Sequence, residues 1–426
     1  MTRRLARSVD RKLRQRAQRV IPGGMYGHMS TALLPENYPQ FFSRAQGAYV
    51  WDADGNRYLD LMCAFGPNLL GYGHEAIDRA VAGQLARGDL APGPGPIMVD
   101  LAEQFVAMVS HAQWTMFCKN GTDSTTIALM TARAYTGRRG LIRCAGSYHG
   151  SAPWCTPNFQ GTIAEDRAHQ FSCTYNDIAS LEAALEAAGT DLAAILVTPY
   201  RHDVFSDQAA IEQEFARRVR AICDERGAVL ILDEVRAGLR LARGSSWEPL
   251  GVQPDLSCWG KSIANGHPIS AVLGAEKFRE AASSIYVTGS YWYAAAPMAG
   301  ALETLRLVRE SGYLEHIQDI GARLRNGLAA VAQQHDFGFR QTGPVQMPLF
   351  LFDDDPDLRL GFYWAGEMLE RGIYVHPWHN MFLCAAMNEA DIDLVIQAAR
   401  GAFAALRSNL HVLEPHARLK ALMNAQ

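Results

Sequence analysis

The chain has 426 residues, of which 48% are hydrophobic and 20% charged, and its formal net charge is -4 at pH 7. This balance is typical of an enzyme-sized globular protein and argues against a nucleic-acid binder. The basic first 20 residues lack the apolar run of a signal peptide, and no segment reaches about 18 uninterrupted apolar residues. We therefore expect neither a membrane span nor a nucleic-acid partner.

The cysteine content indicates a reducing compartment. The eight cysteines are scattered without CxxC spacing, and a chain of this length does not need disulfides to hold its core together. We expect free thiols and a cytoplasmic location.

The N-terminal part is predicted to contain one amphipathic helix and a small sheet element. Leucines and a valine among many arginines favour a helix that ends at the Pro-Gly-Gly of residues 22–24. A transit peptide or a nucleic-acid-binding arm is the alternative interpretation of this basic stretch. Residues 47–61 then alternate apolar and polar positions around "DADGN", which predicts a β-hairpin.

The middle of the chain alternates short apolar runs with longer helical patterns. This rhythm predicts an α/β domain with a mostly parallel sheet and helices on both of its faces. The predicted strands are 114–118, 140–144, 193–199, 228–235, 256–259 and 270–274.

The C-terminal part has the pattern of a smaller α+β unit. The predicted elements are helices over 297–310, 314–333 and 389–407 and strands over 345–352 and 372–376. We expect both chain ends to build this smaller domain. The predicted boundaries are an N-terminal part at 1–64, a large domain at 65–310 and a C-terminal part at 311–426.

Lys261 lies in the unusual stretch "SCWGKSIANGHPIS", between Trp259 and Ile263. A desolvated ammonium group is costly unless it is paired or neutralised. A Walker A phosphate loop would require glycine at position 255, where this chain has Asp255. The lysine therefore needs another chemical role.

A possible phosphate site follows the first predicted strand of the large domain. In open α/β sheets, ligands bind at the carboxyl ends of the strands. Residues 114–118 are followed by a turn at Gly121 and Thr122 that opens a helix, where free N–H groups favour an anion. A plain helix cap formed by Thr122 or Asp123 is the alternative.

Two further strand ends carry groups that suit a flat cofactor ring. Tyr148 and His149 follow the strand at 140–144 and offer an aromatic face for stacking, although a packed tyrosine is equally consistent. Asp233 ends an otherwise apolar strand and needs a partner, which a pyridinium N–H, a helix end or a metal ion would provide. A lysine, a carboxylate, an aromatic ring and an anion site together match pyridoxal phosphate (PLP).

The chain resembles class III aminotransferases of fold type I, and its pattern is most similar to the glutamate-1-semialdehyde aminomutase branch. The resemblance covers nearly the whole chain and rests on "VIPGGMYG", "NGTDSTTIALMTARAYTGR", "GSYHG", "LILDEVRAGLR" and "GKSIANGHPISAVLG". It implies that PLP is the cofactor and that the active unit is a homodimer with shared active sites. The implied roles are Lys261 as Schiff-base lysine, Asp233 as partner of the ring nitrogen, Gly121 and Thr122 as phosphate binders, Tyr148 and Val235 on the two ring faces, and Ser290 as the hydroxyl reaching the partner subunit's phosphate.

Several positions depart from the aminomutase pattern. Ser30 stands where that branch has an arginine for the substrate carboxylate, and His379 stands where it has a gating glutamate. Arg236 and Arg201 are additional charges that would suit a substrate anion, with a surface or ion-pair role as the alternative. The candidate substrate-pocket residues are Ser30, His149, Arg236 and His379.

The leading hypothesis is an aminotransferase that moves an amino group from an amine or amino acid to a carbonyl or 2-oxo acid acceptor. A 2,1-aminomutase of the glutamate-1-semialdehyde type needs the same motifs and stays open as the alternative. Two other hypotheses are a non-catalytic PLP-binding relative and a metal hydrolase using His149, His376 and His379, which lack HExxH spacing.

Overall fold

The computed structural model describes residues 5–201 and 205–419. The helices of this part of the chain are α1 (Ser8–Val20), α2 (Glu75–Leu85), α3 (Ile97–Met108), α4 (Gly121–Thr136), α5 (Ile178–Ala188), α6 (Gln213–Arg226), α7 (Arg279–Ser284), α8 (Ala295–Glu310), α9 (Tyr313–Gln334), α10 (Arg359–Glu370) and α11 (Glu389–Asn409). The strands are β1 (Phe42–Gln46), β2 (Tyr49–Asp52), β3 (Arg57–Asp60), β4 (Trp114–Cys118), β5 (Gly140–Cys144), β6 (Gln170–Cys173), β7 (Leu192–Val197), β8 (Tyr200–Arg201), β9 (Ala209–Ala210), β10 (Val229–Asp233), β11 (Leu256–Trp259), β12 (Ser270–Gly274), β13 (Phe339–Thr342), β14 (Leu349–Phe352) and β15 (Ile373–Tyr374).

A seven-stranded sheet lies at the centre of the large unit, in the spatial order β4-β12-β11-β10-β7-β5-β6. β12 is antiparallel to both of its neighbours, whereas the pairs from β11 across to β6 are parallel. All six strands predicted for this region lie in the sheet. The predicted α/β class with a mostly parallel sheet is therefore confirmed.

The central strands are apolar along their whole length because helices cover both faces of the sheet. Every residue of β7, β10, β11 and β12 is buried. Ile127 of α4 belongs to the core on one face, whereas Leu181 of α5 and Phe215 of α6 belong to the core on the other. Burial on two sides explains the continuous apolar runs that predicted these strands.

Both chain ends contribute to a smaller sheet with the order β1-β2-β3-β15. The predicted hairpin is formed by β2 and β3, and the C-terminal strand β15 adds parallel to β3 with Leu59 opposite Ile373. α1 ends at Val20, just before the predicted stop, and Arg7 forms an ion pair of 2.8 Å with Glu370 of α10. The exact domain boundaries at residues 64 and 310 stay a prediction.

The prediction was partly wrong in the C-terminal part. Residues 345–352 form a strand only over β14, since the Met347 N–H bonds to the Pro344 carbonyl in a turn. The antiparallel partner β13 and the helix α10 were not predicted, and the strand predicted at 372–376 is reduced to β15. In the part of the chain that the structure describes, no helix is long and apolar enough to cross a membrane.

Candidate active site

Lys261 lies two residues after the end of β11 and starts a short 3₁₀ turn with a φ of +47°. A left-handed conformation is costly for a residue with a side chain and often marks a functional position. The Nζ atom donates a hydrogen bond of 2.8 Å to the Phe65 carbonyl oxygen. Burial and the charges of Arg236 and Arg240 lower the pKa of Lys261 to about 7, against the opposing effect of Asp233. A substantial fraction of the amine, about half at pH 7, is therefore a neutral nucleophile.

The carbonyl group that binds Lys261 belongs to an unusual backbone segment, residues 63–65, in which every φ is positive, at +46°, +54° and +64°. Such values cost roughly 1–3 kcal/mol per residue and persist only where the surroundings enforce them. Here Asp60 enforces them, since its carboxylate accepts the N–H groups of Met62 at 2.7 Å and Cys63 at 3.0 Å. No local sequence pattern had indicated this segment.

Arg240 is a fully buried cation beside this segment. Its Nη2 donates to the Gly66 carbonyl at 2.6 Å, its Nη1 donates to the Leu383 carbonyl at 2.7 Å, and its guanidinium carbon lies 4.9 Å from the ring centroid of Phe382. These partners are neutral, so burial lowers the pKa of Arg240. The charge of Arg240 disfavours a second cation at Lys261.

Asp233 ends β10, next to β11, and pairs in register with Cys258. Its Oδ2 atom lies 2.7 Å from Nδ1 of His149, and its Oδ1 accepts the Val235 N–H at 3.0 Å. Both side chains of the histidine–aspartate pair are buried. The strand-end argument thus identified a buried carboxylate held in a fixed orientation. His149 contacts this carboxylate. The predicted role of His149 in a substrate pocket stays a prediction.

The N-terminus of α4 is the candidate anion site. The Asn120 side chain accepts the Asp123 N–H and the Asp123 side chain accepts the Asn120 N–H, which forms a capping box. Asp123 thus takes part in the cap together with Asn120, whereas the Thr122 hydroxyl accepts the Ser151 N–H instead. The N–H groups of Gly121 and Thr122 have no hydrogen-bond partner among the described residues, so they are available to a phosphate.

Glycine is required where α4 approaches the turn after β10. A Cβ atom on Gly121 would lie 2.7 Å from Cγ1 of Val235. Val235 lies two positions after Asp233. Tyr148, which follows β5, is 46% exposed. The amine of Lys261, the carboxylate of Asp233 and the free N–H groups at the start of α4 are groups that suit PLP. The close approach at Gly121 holds α4 next to the turn after β10.

Ser290 lies apart from these groups, in the segment between α7 and α8, and its side chain is exposed. The neighbouring Tyr286 and Tyr291 are 88% and 68% exposed. No side-chain hydrogen bond among the described residues joins Ser290 to α4 of the same chain. Its role in a partner subunit's phosphate site stays a prediction.

Arg236 and His379 lie together near Lys261. Arg236 donates from Nη1 to Oδ1 of Asn380 at 3.0 Å, and its charge contributes to lowering the pKa of both Lys261 and His379. Ser30 instead caps a short turn, where its Oγ accepts the Ala32 N–H at 3.3 Å. The role of Ser30 in the substrate pocket stays a prediction.

Three imidazoles surround the ring of Phe65. The ring centroids of His28, His379 and His376 lie 4.7, 5.4 and 6.2 Å from that of Phe65. Burial lowers the pKa of His376 to about 3 and that of His379 well below its usual range, and it also lowers the pKa of His28. The wall of the site beside Lys261 is therefore neutral at pH 7. Sequence reasoning had selected Ser30 and missed His28, two positions earlier.

The chain matches the family Aminotransferase class-III over residues 33–343 and belongs to that family. It is therefore a PLP-dependent aminotransferase. It is 54% identical over 416 residues to an aminopentol aminotransferase from Sphingopyxis macrogoltabida, which covers 98% of this chain and 99% of that relative.

Solved structures confirm fold type I. The FumI protein of Sphingopyxis sp. MTA144, solved in its PLP internal aldimine form, has a TM-score of 0.96 and 54% identity and covers 97% of this chain and 100% of that chain. An omega-transaminase from Sphaerobacter thermophilus has a TM-score of 0.85 and 26% identity, with coverage of 94% and 98%. A glutamate-1-semialdehyde aminomutase from Pseudomonas aeruginosa has a TM-score of 0.81 and 21% identity and covers 93% of this chain and 94% of that chain. This similarity shows a shared fold alone. The aminomutase branch is thus a distant neighbour, and the aminomutase alternative is less well supported.

Among the described residues, no group of three His, Cys, Asp or Glu side chains is arranged to hold a metal ion. His149, one of the three histidines of the metal-hydrolase alternative, instead pairs with Asp233.

Proposed function

We propose that this aminotransferase uses an amine without a carboxylate on its amino-bearing carbon as the donor, and a 2-oxo acid as the acceptor. The observation that carries the proposal is the neutral imidazole wall formed by His28, His376 and His379 beside Lys261. A donor carboxylate would require a cationic partner such as a bidentate arginine. The relative whose name gives an aminopentol as its substrate also supports a hydroxylated amine.

The residues of the site would divide the work in the following way. Bound PLP supplies a ring that accepts electrons from the amino-bearing carbon of the substrate. Lys261 Nζ, with its pKa of about 7, would take the proton from that carbon and return it. Asp233 would hold the proton of the ring nitrogen, and His149 would fix the orientation of this carboxylate.

The remaining cofactor contacts would hold the group in place. The N–H groups of Gly121 and Thr122 would bind the phosphate at the positive end of α4. Tyr148 and Val235 would cover the two faces of the ring and limit the access of water. Gly121, Tyr148 and Val235 follow β4, β5 and β10, three strands of the same seven-stranded sheet.

Arg236 would receive the carboxylate of the oxo acid. One of its hydrogen bonds, to the neutral amide of Asn380 at 3.0 Å, can be exchanged for a charged bond to a carboxylate, which is roughly twice as strong. Its charge acts on Lys261, which places it close to the reacting groups. Arg201 donates to the Asp207 carbonyl at 2.6 Å and is the second candidate.

We also propose a homodimer with shared active sites and a cytoplasmic location. The exposed Tyr286 and Tyr291 on either side of Ser290 support a covered interface there. The eight cysteines, all buried free thiols, support a reducing compartment.

The test compares 2-aminooctane with 2-aminooctanoate as donors and pyruvate as acceptor. These donors differ in the methyl or carboxylate group on the amino-bearing carbon. We expect kcat/KM to be at least about 10-fold higher for the amine, since the imidazole wall is neutral and Arg236 is assigned to the carboxylate of the short oxo acid. A higher value for the amino acid, or isomerisation of glutamate-1-semialdehyde without any acceptor, would contradict the proposal.

The acceptor side is tested with Arg236→Gln. Because the two half-reactions are separate, kcat/KM for pyruvate should fall about 10- to 100-fold while kcat/KM for the amine changes much less. Arg87→Gln is the matched control, since Arg87 is exposed and bonded to Gln84. Equal losses for donor and acceptor would show that Arg236 does not select the oxo acid.

A further inference from the structure

The hydrogen bond between Lys261 and Phe65 fixes the direction of the amine. Nζ and the Phe65 carbonyl oxygen are 2.8 Å apart, and a carbonyl oxygen can only accept. Lys261 therefore directs an N–H toward Phe65, so the lone pair of the neutral amine points away from this carbonyl. The lysine stem is flexible, and without such a partner the lone pair would have no preferred direction.

The Phe65 carbonyl is left to Lys261 because the turn before it uses other carbonyl groups. The Met62 carbonyl accepts the Phe65 N–H at 2.8 Å, and the Cys63 carbonyl accepts the Gly66 N–H at 3.0 Å. These bonds accompany the left-handed conformations of residues 63–65. The strained turn thus presents one backbone acceptor to the amine.

Asp60, the last residue of β3, holds this turn from below and is 3% exposed. Its carboxylate accepts the N–H groups of Met62 at 2.7 Å and Cys63 at 3.0 Å. It also accepts the hydroxyl group of Tyr72 at 2.5 Å. The backbone of Tyr72 is in turn fixed to Gly47 by two hydrogen bonds of 2.8 Å. A continuous set of bonds therefore joins the small sheet to the turn.

We propose that Asp60 is a positioning residue for Lys261, acting through the Phe65 carbonyl to aim the amine lone pair at the amino-bearing carbon of the substrate. The lone pair takes the proton of that carbon, and the electron pair of the broken C–H bond is left on the carbon. A displacement of about 1 Å is enough to slow such a step about 100-fold. This inference rests on the proposed proton transfer by Lys261 and is independent of the class of donor.

Asp52 provides a matched control, since it holds a second turn of the same sheet in the same way. It ends β2 and is 1% exposed. Its carboxylate accepts the N–H groups of Asp54 at 3.0 Å and Asn56 at 2.9 Å, and the Tyr58 hydroxyl group at 2.7 Å. That turn contacts the start of α1. Asp52→Asn therefore removes bonds of the same kind without acting on the catalytic amine.

The experiment follows the absorbance of the cofactor after mixing with excess donor in the absence of an oxo acid. The donor is 2-aminooctane or 2-aminooctanoate, whichever the unmodified protein accepts better. In Asp60→Asn, where an amide NH₂ replaces one accepting oxygen, the rate at saturating donor should fall about 10- to 100-fold. The half-saturating donor concentration should change less than about 3-fold. Asp52→Asn should keep the rate within about 2-fold of the unmodified protein.

Two further variants serve if Asp60→Asn does not fold. Tyr72→Phe removes one bond to the carboxylate and should lower the rate about 3- to 10-fold, whereas the control Tyr58→Phe should not. The measured rate is first-order and does not depend on the amount of folded protein. A loss of stability alone would therefore lower the amplitude and leave the rate unchanged.

A crystal structure of cofactor-free Asp60→Asn gives a second measurement that is independent of activity. Lys261 Nζ should lie beyond about 3.5 Å from the Phe65 oxygen, whereas Asp52→Asn should keep the distance of 2.8 Å. An unchanged distance, an unchanged rate, or equal rate losses in Asp60→Asn and Asp52→Asn would overturn the inference and leave the proposed function intact. A Lys261→Ala protein as fast as the unmodified one would overturn the proposed role of Lys261 and the inference with it.

Discussion

The carboxylate of Asp233 and the imidazole of His149 form a buried pair in which Oδ2 and Nδ1 are 2.7 Å apart. The second oxygen of Asp233 accepts the Val235 N–H at 3.0 Å. Two fixed hydrogen bonds leave the carboxylate little freedom to rotate. Lone pairs of both oxygens remain for a further donor, and we propose that the cofactor ring nitrogen takes one of them.

Asp233→Asn should retain PLP and lower kcat by roughly 100-fold or more, because an amide cannot hold the ring nitrogen protonated. His149→Asn should give a smaller loss, on the order of 10-fold, since it removes only the group that orients the carboxylate. Steady-state kinetics and the cofactor content measured by absorbance check both variants. Unchanged turnover in Asp233→Asn would show that the carboxylate is structural.

Lys261 should react with trinitrobenzenesulfonate near neutral pH in the cofactor-free protein. Only the neutral amine reacts, and the pKa of Lys261 is lowered to about 7. The labelling rate should therefore rise through pH 7 and level off above about pH 8. Arg236→Gln removes a neighbouring positive charge, so it should raise the pKa and move the plateau to higher pH. Mass spectrometry of the Lys261 peptide measures the rate, and a plateau only above pH 10 would contradict the lowered pKa.

Gly121→Ala should weaken PLP binding about 10-fold or more. The added Cβ would lie 2.7 Å from Cγ1 of Val235, and a β-branched side chain cannot easily move away. The double variant with Val235→Ala should recover part of the affinity, which equilibrium titration of the cofactor-free protein measures. The control is Gly83→Ala in α2, where nothing lies within 4 Å of a new Cβ. That change should leave PLP binding intact and stabilise the helix by about 0.5–1 kcal/mol.

Mixed dimers of Lys261→Ala and Ser290→Ala chains should recover activity. If Ser290 completes the phosphate site of the partner, both changes fall in one site and the other site is unaltered. Each parent dimer should be less active than the mixture at limiting PLP. Activity no greater than the sum of the parents would indicate that the sites are not shared.

Continuous apolar runs allowed most of the central sheet to be predicted from the sequence. β7, β10, β11 and β12 are buried on both faces, so nearly every residue in them is apolar or small. β6, with the sequence QFSC, was missed because it is polar and partly exposed, whereas the other edge strand, β4, has the more apolar sequence WTMFC. A short polar strand lacks the pattern that two covered faces impose.

The same contrast holds for the site. Asp233 and Lys261 follow apolar strands, so a rule about strand ends was sufficient to select them. Phe65 and Arg240 were missed because they act on Lys261 through tertiary proximity, such as the bond from Lys261 Nζ to the Phe65 carbonyl, 196 positions earlier, and the charge of Arg240. Hydrogen bonds between distant positions leave no local pattern. His28 was missed for the same reason.

The smaller sheet has a consequence for how the protein is made. β3 pairs with β15, and Arg7 contacts Glu370, 363 positions later in the chain. During synthesis the ribosome releases the N-terminal strands long before their partner exists. The central sheet can form first, whereas the edge of β3 stays open to pairing with other chains until translation is nearly complete. Premature termination before residue 373 would leave that edge uncovered permanently and favour aggregation.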